Sequence, residues 1–537
     1  MFGQMMRSPL LMTSFIDRSA DLFSKVEIVS RLADRSIHRY TYGACRDRAY
    51  RLAAALQKSG IRPGDRVGTL MWNHYAHLEA YFGIPLAGAV LHTLNLRLHP
   101  QEIARIASHA GDRIVIVDNA LLPLWEQIAE HFRPERVIVA DISGNRSVSE
   151  NDYETLLENA PKEFNPVRAD EDDAVGLCYT SGTTGFPKGI LYSHRSVALH
   201  SLSMSLPDVL GLRQADVILP VVPMFHVNCW GLPFTAAMLG AKLVLPGPCL
   251  DPASILDLFR SEHVTFSAGV PTVWMGILRQ LENCADASAL LKGMRMLVGG
   301  SAVSETLIRG FEAYGARLIQ GWGLTETSPL ATIGGLKSYM DDWPHDEQVA
   351  TACKQGLPVP FIEIRTVNTE GICPKDGQTM GEVHIRGPWV ASGYFEWESD
   401  GGCWTQDGWF RTGDVGTIDS EGYLRITDRT KDLIKSGGEW ISSVELENAL
   451  MSHPLVQEAA VIAIPDEKWQ ERPLAVVVLK ENANATPDML RSHVAPRFPK
   501  WWLPEKFAFV REIPRTSTGK FLKTKLRELY RNGELKI

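Results

Sequence analysis

The 537-residue sequence has no unbroken apolar run, no surplus of positive charge and no closely spaced cysteines. One long uncharged stretch, Ala80 to Leu96, is interrupted by Gly83, Pro85, Gly88, His92 and Asn95. That is too broken for a bilayer span, and it reads as a buried helix followed by a strand. With 55 Lys and Arg against 63 Asp and Glu the formal net charge is -8, which gives no electrostatic reason to expect nucleic acid or an acidic membrane as a general partner. The eight cysteines, at 45, 178, 229, 249, 284, 353, 373 and 403, contain no C-x-x-C pair. Reduced thiols in a cytoplasm fit this usage better than a disulfide frame or a zinc site. Met1 to Thr13 carries only Arg7 and no small-residue cleavage site, and Glu534-Leu535-Lys536-Ile537 matches no retention or peroxisomal tail. The expectation is therefore a cytoplasmic protein without an integral membrane segment.

What is present is the composition of an ordinary globular protein, 45% hydrophobic and 22% charged, with more chain than one core comfortably holds. From Tyr40 onward helical and strand patterns alternate. Thr41 is placed to cap a helix whose apolar positions Cys45, Ala49, Leu52, Ala53 and Leu56 share a face, and Gly60 ends it. Strands are expected near 67–71, 89–92, 114–117 and 137–140, then, after a polar acidic linker, near 217–222, 243–245, 264–266, 296–298 and 318–320. This is an α/β fold of layered, mainly parallel sheets. The expected division is an N-terminal domain, 1–428, made of α/β subdomains 1–173 and 174–357 and a small β subdomain 358–428, followed by a small α+β cap, 429–537.

Chemistry-bearing residues cluster in a few strings. Thr180-Ser181-Gly182-Thr183-Thr184-Gly185-Phe186-Pro187-Lys188-Gly189 joins two short strands with three glycines, four hydroxyls and a lysine. Glycines allow successive backbone N–H groups to face one concavity, so the loop is suited to wrap a polyphosphate, although plain surface hairpins share this composition. It is not a P-loop, because Phe186 and Pro187 precede Lys188 and no Ser or Thr follows it. Pro223-Met224-Phe225-His226-Val227-Asn228-Cys229-Trp230 places one histidine among apolar residues, which a core histidine would also explain. Gly299-Gly300-Ser301 and Gln320-Gly321-Trp322-Gly323-Leu324-Thr325-Glu326-Thr327 lie at strand ends, where ligands sit in such sheets. A carboxylate beside polyphosphate needs a hard cation between them, so Glu326 suits Mg²⁺.

Taken together these strings resemble the adenylate-forming superfamily, which comprises acyl- and aryl-CoA ligases, luciferases and peptide-synthetase adenylation domains. The resemblance covers nearly the whole chain. The Pro-x-Phe-His string and the texture of the opening Phe2-Gly3-Gln4-Met5-Met6 are similar to bacterial medium-chain fatty-acyl-CoA ligases and methylmercaptopropionate-CoA ligases. It implies an ATP-dependent acid–CoA ligase that forms acyl-AMP and pyrophosphate from a short- or medium-chain carboxylic acid, then acyl-CoA and AMP, with ATP, Mg²⁺ and coenzyme A. Residue by residue it implies Thr180 and Glu326 at the metal, Ser181, Gly182, Thr183, Thr184 and Lys188 on the phosphates, and Thr325 on the α-phosphate. Gly299, Gly300, Ser301, Gly321, Trp322 and Gly323 would lie against adenine and the acyl group, and His226 and Trp230 would wall the acyl tunnel. Asp414, in Gly408-Trp409-Phe410-Arg411-Thr412-Gly413-Asp414, and Arg429 would hold the ribose. Lys431 and Lys435 would lie near phosphates, and Gly437, Gly438 and Trp440 near the pantetheine arm. Lys520, after Ser517-Thr518-Gly519, would be the adenylation lysine, carried on a cap that turns about Asp428. A homodimer is compatible with the resemblance. The bulk of Trp230, Trp274 and Trp322 favours short to medium chains over long ones.

Three rivals remain at this point: a peptide-synthetase domain, which would usually be followed by a carrier domain that the stretch after Lys520 is expected to be too short to hold; a light-emitting oxidase; and a catalytically silent nucleotide-binding protein, against which Lys520 and Glu326 argue. The Gly401-Gly402-Cys403 insert departs from the commonest pattern and is expected only to lengthen a turn.

Overall fold

The segment Tyr75–Leu86 is apolar on every side and forms a helix whose twelve residues are all buried. A helix of that kind must be covered from all directions. It touches strands of two different sheets as well as the long helix Tyr42–Lys58. The computed structural model describes residues 3–142, 151–180, 187–397, 402–436, 439–515 and 521–537.

The first sheet has six strands, in the order Arg136–Ala140, Asp112–Asp118, Arg66–Leu70, Val90–Thr93, Ala174–Tyr179 and Gly189–Ser193. The first five are mutually parallel and the last is antiparallel. The second sheet has nine strands. Its parallel centre runs from Arg317–Gly323 through Arg295–Val298, Phe266–Gly269, Val217–Pro220 and Lys242–Leu245 to Glu27–Arg31. Antiparallel strands Ile37–Thr41 at one edge and Leu330–Ile333 and Leu357–Pro358 at the other complete it. Near-continuous apolar strands such as Ile114–Val117 suit sheets buried on both faces.

The strand pairing runs across 173/174. The two strands that flank the glycine-rich loop close the first sheet rather than opening the second, and Glu27–Arg31 and Ile37–Thr41 join the second sheet rather than the first. Sheet membership follows hydrogen-bonded neighbours, not chain order. The local expectations hold: Thr41 Oγ1 accepts from Ala44 N, and the five helix positions from Cys45 to Leu56 are fully buried. Ser193 caps the helix His194–Ser205 in a reciprocal capping box.

An antiparallel five-stranded sheet spans Glu363–Arg429, and the last strand, Leu424–Arg429, leads into the C-terminal unit. There Val456–Asp466 and Gln470–Leu479 form the central hairpin, with Ile434–Ser436, Glu439–Ile441 and Lys506–Phe509 beside it and its own apolar cluster around Leu446, Val461 and Val477. Among the described residues no helix is long and apolar enough to cross a membrane.

Candidate active site

The carboxyl ends of four parallel strands in the second sheet open onto one cavity of about 810 Å³, at Val221, Gly269, Gly299 and Gly321. That is where ligands bind in open α/β sheets, and the size lies within the roughly 300–1,000 Å³ of small-molecule sites. One end is apolar, walled by Met204, Val222, Trp230, Val270, Val273 and Leu297. The other is polar, with Thr180, Lys188, Glu326, Thr412, Arg429 and Lys431. An amphipathic substrate, part hydrocarbon and part polyanion, matches both ends.

At the polar end Thr180 closes the base of its loop. Its N–H donates to the Lys188 carbonyl at 2.9 Å, and its hydroxyl accepts from Lys188 N at 3.0 Å. The Lys188 ammonium lies 4.4 Å from the centre of the Tyr394 ring and 5.5 Å from that of Trp397. Glu326 lies in the turn Thr325–Thr327 and accepts from the Tyr394 hydroxyl at 3.0 Å. Its surroundings exclude enough water to push its carboxyl above the usual range. A single carboxylate and a nearby threonine fit Mg²⁺, which takes few protein ligands and completes its shell with phosphate and water. The described residues hold no cluster of three or more His, Cys, Asp or Glu suited to a metal.

Further along, the buried Asp414 carboxylate accepts from Trp322 Nε1 at 3.0 Å and pairs with Arg429 Nε at 3.1 Å. That fixes an indole face and a guanidinium beside the cavity and leaves carboxylate lone pairs for two hydroxyls. Lys431 lines the cavity too, and desolvation lowers its ammonium pKa. At the apolar end Val227, Asn228, Cys229 and Trp230 all have positive φ, between 45° and 57°. This left-handed turn swings Trp230 against Gly299, where a Cβ would lie 3.0 Å from the indole ring. His226 stands at the start of the turn and lines the cavity. Burial raises the Cys229 thiol pKa, and its Sγ donates to the Val222 carbonyl, so it packs rather than reacts.

Gly300, Gly321, Gly323 and Thr325 line the cavity as the sequence leads one to expect. Several residues do not. Ser301 lies outside it and presents its carbonyl to Gln320. Lys435 and Trp440 pair across a hairpin of the C-terminal sheet, away from the cavity, because the strand register there commits them to that sheet. Trp274 is fully buried in the core behind the second sheet and donates to the Leu297 carbonyl, so it does not narrow the tunnel. Ser181, Gly182, Thr183, Thr184, Gly437, Gly438 and Lys520 lie outside the described residues. Sequence reasoning missed Tyr394 and Arg97, both on the cavity wall. Tyr394 belongs to no recognisable phosphate string, and nothing beside it in the sequence signals a site.

The fold is that of the adenylate-forming enzymes. Residues 17–395 match the AMP-binding enzyme family and residues 445–520 the AMP-binding enzyme C-terminal domain. Over 532 residues the chain is 50% identical to a long-chain-fatty-acid–CoA ligase of Thermus thermophilus, covering 98% of this chain and 97% of that one. It is 44% identical to a medium-chain-fatty-acid–CoA ligase of Ectopseudomonas oleovorans, covering 99% and 98% of the two chains. It is 42% identical to a 3-methylmercaptopropionyl-CoA ligase of Ruegeria lacuscaerulensis, covering 99% of each. Among solved structures it is similar to the anthranilate CoA ligase AuaEII in complex with anthranoyl-AMP, with a TM-score of 0.85 and 26% identity over 98% of this chain and 99% of that one. The chain belongs to the AMP-binding enzyme family, among its acyl-CoA ligases.

Proposed function

We propose that this acyl-CoA ligase acts in the cytoplasm on a short- or medium-chain fatty acid. The observation that carries the reading is one cavity that is apolar at the Trp230 end and charged at the Lys188–Glu326 end. A carboxylate is a poor acyl donor until it gains a leaving group. Its oxygen attacks the α-phosphorus of ATP, the bond to the β-phosphate oxygen breaks, and pyrophosphate departs. The CoA sulfur then attacks the acyl carbonyl and AMP leaves.

Each half of the chemistry calls on its own set of residues. Lys188, with Thr183 and Thr184, receives the β- and γ-phosphates, Asp414 and Arg429 hold the ribose, and Trp322 lies along the nucleotide. Bound beside Glu326 and Thr180, Mg²⁺ supplies neutralising charge on the polyphosphate. Lys520 bridges to the α-phosphate during adenylation, after which rotation of the cap about Asp428 brings up Gly437 and Gly438 for the thiol. Positioning and fixed charge carry most of the acceleration in phosphoryl transfer.

His226 and Trp230 shape the acyl end, and Trp230 is the indole that limits its width. A thioether acid of the methylmercaptopropionate kind suits the same walls and is the second reading, supported by the 42% identical relative. A panel from acetate to palmitate, with aryl and methylthio acids, assayed by AMP release with CoA present, tests the choice. The fastest turnover is expected between butyrate and decanoate. Palmitate as best substrate would overturn the chain-length assignment, and methylmercaptopropionate as best would establish the second reading.

A further inference from the structure

The segment 389–395 is strapped to both charged elements of the cavity. Ser328 Oγ donates to the Trp389 carbonyl at 2.9 Å, and Trp389 Nε1 donates to the Leu330 carbonyl at 3.0 Å. Ala391 N donates to the Glu326 carbonyl and Phe395 N to the Gly189 carbonyl, each at 2.8 Å. Tyr394 sits between these anchors. Its ring is held edge-on against Trp404 at 5.0 Å, and Trp404 in turn donates from Nε1 to the Ala391 carbonyl. The side chain is thus fixed from behind and presents two surfaces forward, the hydroxyl to Glu326 at 3.0 Å and the ring face to the Lys188 ammonium at 4.4 Å.

Lys188 and Glu326 face the same cavity, and opposite charges in a partly desolvated wall attract strongly. They form no ion pair with each other in the described structure. Each instead has a neutral partner on the same tyrosine: an O–H donor for the carboxylate and a π face for the ammonium. An ion pair between them would have to break before Lys188 could meet a phosphate, whereas release from a neutral aromatic partner is easier.

We propose that Tyr394 is a positioning residue of the polyphosphate site, which keeps Lys188 and Glu326 apart and poised until nucleotide arrives. This rests on the reading of those two residues as phosphate and metal groups. The hydroxyl orients Glu326, and the ring holds Lys188 along the wall and blocks its collapse onto the carboxylate.

The test measures ATP binding by titration calorimetry in the presence of a metal chelator, for the wild type, Y394F, Y394L, E326Q and the E326Q/Y394L double variant, with thermal unfolding as a check on each. Y394F keeps the ring and should bind metal-free ATP as the wild type does. Y394L should bind it about fivefold more weakly or worse, the scale of a freed ammonium captured by a carboxylate. The double variant, lacking the carboxylate, should bind as E326Q does. Wild-type affinity in Y394L, or no recovery in the double variant, overturns the spacing role. The hydroxyl is tested by pyrophosphate exchange: Y394F should need about threefold more Mg²⁺ for half-maximal rate, by loss of one oriented hydrogen bond. An unchanged Mg²⁺ requirement refutes that half even if Y394L does not fold. If the wild type exchanged no pyrophosphate with any acid, the ligase reading would fail, while the metal-free binding would still judge Tyr394.

Discussion

At the scale of single residues the acyl end is governed by what is missing from Gly299. The Trp230 ring occupies the place its side chain would take, with 3.0 Å left for a Cβ. Gly299→Ala must push the indole toward the apolar end or be strained. Overpacking of this kind costs about 1–3 kcal/mol, so the KM for the acid should rise roughly tenfold or more while the KM for ATP stays near wild type; steady-state kinetics with each substrate varied checks this, and an unchanged acid KM would remove Trp230 from the tunnel. The sequence made much of this site legible, because Thr180, Lys188, Gly299, Trp322, Thr325 and Glu326 occur in short dense strings whose residue types have few other uses together. Tyr394 was not legible. It meets Glu326 across 68 residues of chain and Lys188 across a still longer separation, and such distant pairings leave no mark on local pattern.

At the scale of elements two features matter. The left-handed turn at 227–230 stores roughly 1–2 kcal/mol per non-glycine residue, and it persists because Gly231 continues it at φ 76° and buried neighbours hold Asn228 and Cys229. The second is the junction of the cap. Asp428, the expected pivot, accepts from both the N–H and the hydroxyl of Ser443, and Lys523, the first residue of the helix Lys523–Arg531, pairs with Glu447 at 2.6 Å. Burial pushes the Glu447 carboxyl up to about 7 from an ordinary 4.5, against the pull of Lys523. The folded chain therefore binds more protons than the unfolded chain in the window between those values, and stability falls as pH rises through it. Glu447→Gln should flatten that slope in thermal unfolding followed from mildly acidic to neutral pH. Lys523→Met leaves two buried carboxylates without their cation and should cost about 3 kcal/mol in urea unfolding near neutral pH, less in acid; a loss below a few tenths would mean the cluster is solvated. None of this pairing could be read in the sequence, because Asp428, Glu447 and Lys523 belong to three separate elements.

At the scale of the whole molecule each unit contributes to the single cavity: Thr180 and Lys188 from the first sheet, Gly299 to Glu326 from the second, Thr412 from the β subdomain and Arg429 and Lys431 from the approach to the cap. The α/β class, the β subdomain and the cap were legible from alternating patterns and a change of texture. The pairing of strands was not, since the two sheets exchange segments across the chain and no local pattern records which neighbour a strand will find. The account's central claim is that this shared cavity first joins an acid to AMP, before any thiol is involved. Exchange of labelled pyrophosphate into ATP, with Mg²⁺ and a fatty acid present and CoA left out, measures that step alone. The account predicts exchange that depends on the acid, and exchange absent for every acid tried, or proceeding only once CoA is added, would contradict it.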